Sequence, residues 1–147
     1  VVIMFHIILV FFCMNLLNDV PDFVNEFHAV NSKEEELNYI LKYNNSKDVS
    51  TKGYVISLRM KQAKYKFFPW EKMSIFSCER EKLEALIKEN PDNLHLRYLR
   101  LVIQENTPRL LNYYSSIDKD KLLINQFLLK KDKTDYLDQY IKNNTSL

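Results

Sequence analysis

Apolar residues recur along this chain at intervals of three and four, the spacing that places them on one face of an α-helix. The segment 71–89 shows the pattern clearly, because Phe76, Leu83 and Ile87 are separated by charged residues that would face solvent. A single glycine and four prolines among 147 residues leave few of the turn residues that strands and hairpins require. The pattern therefore predicts an all-α chain. The predicted helices are 22–31, one from Ser32 to about Tyr43, one from Ser50 or Thr51 to Phe67, 71–89, one capped by Asp92 or Asn93, a short one that begins at Thr107 and Pro108, 119–129 and 135–143.

Start and stop signals separate the predicted helices. Ser32 followed by Glu35 has the spacing of a capping box, which marks the beginning of a helix. Pro91 ends the helix before it, and Asp92 or Asn93 caps the next one. Because the intervening loops are short, we expect consecutive helices to be antiparallel neighbours in helical hairpins, forming an irregular α-α array.

Residues 1–17 form an apolar run that only His6 and Asn15 interrupt. Its length fits a signal-peptide core and is short for a membrane span. We therefore divide the chain into a signal-peptide-like or anchor segment, 1–18, and a single all-helical domain, 19–147, and expect a periplasmic or secreted protein. No basic residue precedes the run and no small-residue cleavage site follows it, so an uncleaved membrane anchor, lipidation at Cys13 and a buried first helix of a cytoplasmic protein stay open.

The helix predicted over 93–106 carries a polar stripe within an otherwise apolar sequence, because Arg97, Arg100 and Gln104 lie at i, i+3 and i+7. A guanidinium presents a fixed fork of donors that suits a carboxylate or phosphate, so the stripe could line an anion-binding pocket. Buried arginines equally need acidic partners, which predicts a structural network instead. The candidate residues for either arrangement are Arg97, Arg100, Gln104, Tyr113, Asp118 and Asp120, with Glu105 as a further acidic partner.

Basic and aromatic residues are interleaved at the end of the helix predicted over 50–67. Pro69 disfavours helical backbone at Phe68, so the helix should end there, and we expect the aromatic residues around the proline to be buried. The basic residues are expected on the solvated helix face, with contact to nucleic acid or anionic lipid as the alternative. The basic residues are Arg59, Lys61, Lys64 and Lys66, and the aromatic residues are Tyr65, Phe67, Phe68 and Trp70.

Composition and motif content narrow the classes of function. A net charge of +2 is too small to indicate a nucleic-acid-binding protein. The three histidines and two cysteines fall at no metal-ligand spacing, and one glycine cannot supply a phosphate-binding loop. No nucleophile motif of a hydrolase occurs either. We therefore expect no metal, no cofactor and no enzymatic activity.

Two resemblances add to this interpretation. The sequence EALIKENPDN between two predicted helices resembles the junction of tetratricopeptide units, although no second standard repeat follows it. A second pattern extends over residues 53 to 141 and consists of Gly53, Tyr54, Ala63, Lys64, Phe67, Phe68, Pro69, Trp70, Asn90, Pro91, Asp92, Asn93, Arg97, Leu99, Arg100, Gln104, Pro108, Leu110, Leu111, Asn112, Tyr113, Asp118 and Asp120. With these residues the stretch resembles a family of uncharacterised, exported, all-helical proteins of Bacteroidota, especially flavobacteria.

The family resemblance implies a helical fold, a location in the cell envelope and no known reaction. His95 and Asn112 depart from it, because the family usually has an acidic residue and a glycine at those positions. Together with the absence of catalytic motifs, this predicts a non-enzymatic helical protein that binds a protein or peptide or has a structural role. The alternative is a small anionic-ligand binder or an enzyme that uses Arg97, Arg100 and Gln104. Membrane contact is expected only through the N-terminal segment, if it is uncleaved.

Overall fold

A computed structural model describes residues 19–147, and the segment 1–18, on which the export prediction depends, lies outside the described residues. The described part is all-helical and has no strand, which confirms the predicted all-α class. Three short 3-10 segments, at Gln62–Tyr65, Arg109–Leu111 and Asp135–Leu137, join or precede the α-helices. The α-helices are α1 (Asp22–Ala29), α2 (Lys33–Tyr43), α3 (Val49–Lys61), α4 (Pro69–Glu89), α5 (Leu94–Asn106), α6 (Ile117–Leu128) and α7 (Asp138–Asn144).

Local signals set the helix starts. The capping box is present, because Ser32 Oγ accepts from the Glu35 N–H at 3.2 Å while Glu35 Oε2 accepts from the Ser32 N–H at 3.1 Å. Asn93 caps α5 by accepting a hydrogen bond from the Leu96 N–H at 3.1 Å. Pro69 occupies the first position of α4, where its missing N–H costs nothing. The two caps act within three residues, which is why the sequence pattern predicts them, whereas α4 begins two residues before the predicted start at Glu71.

Helix α5 lies at the centre of the described domain. It packs against α3, α4 and α6, and nine of its 13 residues are buried. Its approach to α3 is unusually close, since a Cβ added to Gly53 would lie 2.4 Å from Leu96 Cδ2. One core cluster contains Tyr54, Tyr98 and Leu99, and a second cluster on the α4 side contains Leu83 and Leu96. The polar stripe of α5 is therefore buried by neighbours on several sides.

The first and last described helices contact each other. The imidazole of His28 in α1 stacks on the ring of Tyr140 in α7, with centroids 4.1 Å apart. The Tyr140 hydroxyl donates to Asn25 Oδ1 at 2.9 Å, across 115 positions of sequence. The C-terminal helix thus completes the packing of α1.

The prediction that the aromatic residues around Pro69 are buried is wrong. Phe67, Phe68 and Trp70 are 86, 43 and 66% exposed, and we call these three residues the aromatic corner. The corner lies between the 3-10 segment and the start of α4, and the buried positions of α4 begin only at Glu79. The rings therefore lie beyond the packed part of the helix and pack on one another.

Within residues 19–147, no helix is both long enough and apolar enough to cross a bilayer.

Candidate functional site

The arginine stripe of α5 faces a single buried carboxylate on α6. Asp120 Oδ1 accepts from Arg97 Nη1 at 2.9 Å, and Asp120 Oδ2 accepts from Arg100 Nε at 2.6 Å. Arg100 Nη2 also donates to Asp120 Oδ1, at 2.6 Å. Asp120 is fully buried, and each arginine is only 4% exposed. The geometry is that of a charge-assisted, bidentate pair with a second arginine added.

Glu84 of α4 extends this network, which we call the arginine network (Glu84, Arg97, Arg100, Tyr113 and Asp120). Arg100 Nη1 donates to Glu84 Oε2 at 2.6 Å, and the Tyr113 hydroxyl donates to Glu84 Oε1 at 2.6 Å. Arg97 Nε donates to the Pro91 carbonyl at 2.7 Å. The network thus joins α4, α5, α6 and the segment before α6.

The carboxylates of the network keep Arg100 charged. Burial alone would lower the pKa of Arg100, but the hydrogen bonds and charges of Asp120 and Glu84 outweigh it and raise that pKa. Burial together with the adjacent Glu84 carboxylate raises the pKa of the Tyr113 phenol well above its usual range, so Tyr113 remains a neutral donor. All three guanidinium nitrogens of Arg100 donate to carboxylates of the chain itself.

The structure brings together four of the six predicted candidates and separates the other two. Arg97, Arg100 and Asp120 are in direct contact, and Tyr113 joins them through Glu84. Asp118 is exposed, two positions before Asp120 and therefore on another face of α6. Gln104 is 3% exposed, and its two amide atoms have no hydrogen-bond partner among residues 19–147. Glu105 instead pairs with Lys121, at 3.1 Å.

Glu84 is not among the residues predicted from the sequence. The pattern that could have pointed to it is a stripe on α4, which faces Tyr113 and consists of Phe76, Arg80 and Glu84 at intervals of four. Phe76 packs edge-to-face on the Tyr113 ring with centroids 5.9 Å apart, and the Arg80 guanidinium lies 5.6 Å from the same ring. The spacing shows that these three residues share one face of α4, whereas the contact with Tyr113 depends on the tertiary packing.

Two histidines contact tyrosines, and of these His95 is buried and His28 is half-buried. His95 Nδ1 and Nε2 lie 3.0 Å from the hydroxyls of Tyr54 and Tyr136 respectively. Burial lowers the pKa of His95 to about 4, although the negative charge of Asp48 acts in the opposite direction. Burial likewise lowers the pKa of His28 to about 4. Both imidazoles are therefore neutral at pH 7.

Among residues 19–147, no group of three or more His, Cys, Asp or Glu side chains could hold a metal ion.

The basic residues before the aromatic corner do not share one free face. Lys61 and Lys64 lie 2.9 and 3.0 Å from the same carboxylate oxygen of Glu36, which is 1% exposed. Arg59 donates to the side-chain oxygen of Asn44 instead. Burial raises the pKa of Glu36, but the hydrogen bonds and charges of the two lysines outweigh it and lower that pKa. Two of the four basic residues therefore tie the end of α3 and the 3-10 segment after it to α2.

An open groove of about 470 Å³ lies on the other side of α5, between α1, α3 and α4. We call it the α1–α5 groove. Its lining is mostly apolar, with a few polar side chains that include His28 and Asn106. The volume falls within the range of about 300–1,000 Å³ that is typical of ligand pockets. The apolar lining residues are Phe27, Val30, Leu58, Met60, Phe76, Leu99, Val102 and Ile103.

No protein-family model matches the chain, and no curated protein or solved structure is significantly similar to it. The resemblance to the Bacteroidota family therefore stays a prediction.

Proposed function

We propose that this protein is a non-catalytic, tetratricopeptide-like helical module that binds a short peptide with apolar side chains in the α1–α5 groove. The observation that carries the proposal is the groove itself, which is concave, mostly apolar and of ligand size. Helical hairpins commonly present such side-chain grooves to peptide partners.

The arginine network supports the same proposal by elimination. Asp120 and Glu84 already accept from all three guanidinium nitrogens of Arg100, and Asp120 and the Pro91 carbonyl accept from Arg97. An anionic ligand at the stripe would have to displace a buried carboxylate, which would leave that carboxylate without its partners. The apolar groove needs no such displacement.

A labelled peptide and a rim variant test the proposal. The probe is a fluorescein-labelled pentapeptide with Leu-Phe-Leu at its centre, and its Ser-Asp-Ser counterpart serves as the reference peptide. We expect fluorescence anisotropy to rise only with the apolar peptide. Asn106→Trp, at the exposed rim of the groove, should block binding by filling it, whereas Leu110→Trp, at a position 92% exposed and outside the groove lining, should bind as the unmodified chain does. Equal binding by both variants, or no preference between the peptides, would refute the proposal.

We also propose that the protein is exported to the periplasm or the cell surface, with residues 1–18 as its leader. The support is the apolar run at residues 1–17, which has the length of a signal-peptide core. Mass spectrometry of the protein isolated from native cells tests this. A mature chain that lacks the run supports export, and a cytoplasmic protein that retains it contradicts export.

A further inference from the structure

The aromatic corner is a contiguous exposed surface. The rings of Phe68 and Trp70 stack with centroids 4.5 Å apart at an interplanar angle of 14°, and Phe67 packs edge-to-face on Phe68 at 5.1 Å. Tyr65 and Met73, at 37 and 45% exposure, adjoin the corner in sequence. Contiguous apolar surface that is rimmed by charge marks an interaction site in a soluble domain, whereas single exposed apolar residues do not.

The backbone holds the corner in a fixed orientation. The N–H groups of Glu71 and Lys72 donate to the Phe68 carbonyl at 3.1 and 3.2 Å, so the first turn of α4 begins directly at the corner. Pro69 fixes its own φ angle between the two stacked rings. Docking through these rings therefore orders little additional chain, which favours binding.

The charge around the corner is positive. Between residues 64 and 72 the chain has three basic residues and one acidic residue, and Lys64 among them is paired with Glu36. Lys66 and Lys72 are exposed on the two sides of the corner. The ammonium groups of Lys33 and Lys64 lie over the ring of Tyr65, at 5.2 and 4.5 Å from its centroid.

We infer that the aromatic corner docks onto a membrane surface that contains anionic lipid, with the rings at the level of the headgroups and the lysines against lipid phosphates. Tryptophan and other amphipathic rings are enriched at that depth of a bilayer. Lysines close to an anionic leaflet add electrostatic attraction. The site is separate from the α1–α5 groove, so it does not depend on the peptide proposal.

The arrangement of the rings favours lipid over nucleic acid. Single-stranded nucleic acid binds by stacking its bases on open aromatic faces. Phe68 and Trp70 already cover one face of each other. These two rings therefore offer bases less stacking surface than two separate rings would.

Trp70 provides a direct test because it is the single tryptophan of the chain. The full chain is titrated with vesicles of phosphatidylcholine and phosphatidylglycerol in equal amounts, and with vesicles of phosphatidylcholine alone. We expect a blue shift of tryptophan emission with the anionic vesicles, and quenching when the lipids carry bromine on their acyl chains. Quenching locates Trp70 itself in the bilayer, so binding through the apolar residues 1–17 alone does not produce it.

Matched variants complete the test. Phe67→Ser combined with Phe68→Ser keeps Trp70 as the reporter and should abolish its quenching by brominated lipid. Leu110→Ser combined with Leu129→Ser removes two leucines that are 92 and 87% exposed elsewhere, and should leave the quenching unchanged. Lys66→Gln and Lys72→Gln should each weaken binding to anionic vesicles roughly fivefold.

The following outcomes would overturn the inference. One is the absence of Trp70 quenching by brominated lipid, and another is quenching that persists in the double serine variant at the corner. Quenching of Trp70 by a single-stranded oligonucleotide without any response to vesicles would assign the corner to nucleic acid instead. A blue shift that depends on protein concentration in the absence of vesicles would assign it to a second copy of the chain.

Discussion

Arg100 binds Asp120 through two parallel hydrogen bonds, in which Nε and Nη2 each lie 2.6 Å from a different carboxylate oxygen. Both residues are almost completely buried, at 4 and 0% exposure. Because water cannot replace either partner at this depth, the ion pair holds α5 and α6 together, and its loss should lower the stability of the fold.

Loss of the Asp120 charge should destabilise the protein strongly. Asp120→Asn keeps the shape of the side chain but leaves two buried guanidiniums without their shared carboxylate, so we expect the free energy of unfolding to fall by about 3–5 kcal/mol. Urea unfolding measures the change. Asp118→Asn, at the exposed position two residues earlier, should cost at most about 1 kcal/mol through the helix dipole. If both variants lowered the free energy of unfolding equally, the buried ion pair of Asp120 would not be what stabilises the contact between α5 and α6.

Removal of Arg100 should affect stability rather than binding. Arg100→Leu leaves Glu84 and Asp120 with one charged partner fewer, and we expect a clear drop in the melting temperature. Arg100→Lys should also destabilise the protein, because an ammonium cannot reproduce the bonds of three guanidinium nitrogens. Calorimetry provides the melting temperatures. Peptide binding in the α1–α5 groove, measured below the transition, should not change, and an unaltered melting temperature would exclude a structural role for the network.

Substitution of Gly53 should reverse the usual effect of alanine in a helix. Alanine normally stabilises a helix relative to glycine by about 1 kcal/mol, but here its methyl group would meet the fully buried Leu96 side chain. We expect Gly53→Ala to lower the free energy of unfolding by about 1–3 kcal/mol, as overpacking does. The cost should shrink in a Leu96→Ala background, where the contact is absent. Chemical denaturation of the four proteins in this double-mutant cycle gives the coupling energy, and additive effects would show that Leu96 is not the obstacle.

The burial of His95 should make the protein sensitive to mild acid. A histidine whose pKa falls from 6.5 when unfolded to about 4 when folded contributes stability above pH 6.5 and loses it as the pH falls towards 4. The loss amounts to about 3 kcal/mol for a shift of this size. Denaturation curves at several pH values should therefore converge for the unmodified protein and His95→Gln as the pH drops from 7 to 4. Parallel curves would mean that His95 titrates normally in the folded state.

The lysine pair at Glu36 should be weaker than the arginine network. Lys61 and Lys64 keep 47% of their side-chain surface exposed, so water can solvate them when the carboxylate charge is lost. Glu36→Gln is therefore expected to cost only about 1 kcal/mol, within the range for partly exposed ion pairs. Urea unfolding of Glu36→Gln and Asp120→Asn under the same conditions compares their losses of unfolding free energy. Equal losses would show that the exposure of the lysines does not weaken the contribution of their ion pairs.

Helix starts that depend on neighbouring residues could be predicted from the sequence, whereas the burial of residues that depends on contacts between distant helices could not. The capping box at Ser32 and Glu35 closes within three positions, so it is visible in the chain alone. The burial of Asp120 rather than Asp118 depends on where α6 begins and how it rotates against α5. That rotation is a tertiary property, which no local pattern contains.

The exposure of the aromatic corner could not be predicted from the sequence either, because it too depends on tertiary packing. Hydrophobicity predicts that Phe67 and Trp70 leave water if a partner surface is available, but not whether the fold supplies one. In this fold α4 begins at Pro69, and its buried positions start ten residues later at Glu79. The positive φ of 48° at Asn112 was likewise not predictable from helix patterns, although asparagine tolerates that conformation.

The contact between α1 and α7 has a consequence for the synthesis of the chain. Asn25 leaves the ribosome 115 residues before Tyr140, which corresponds to a delay on the order of ten seconds at common translation rates. Phe27 can pack on Tyr54 once α3 has emerged, but His28 has no stacking partner in α7 until Tyr140 appears. During this interval α1 lacks the stacking and hydrogen-bond partner that Tyr140 provides, so its packing is completed only after α7 has been synthesised.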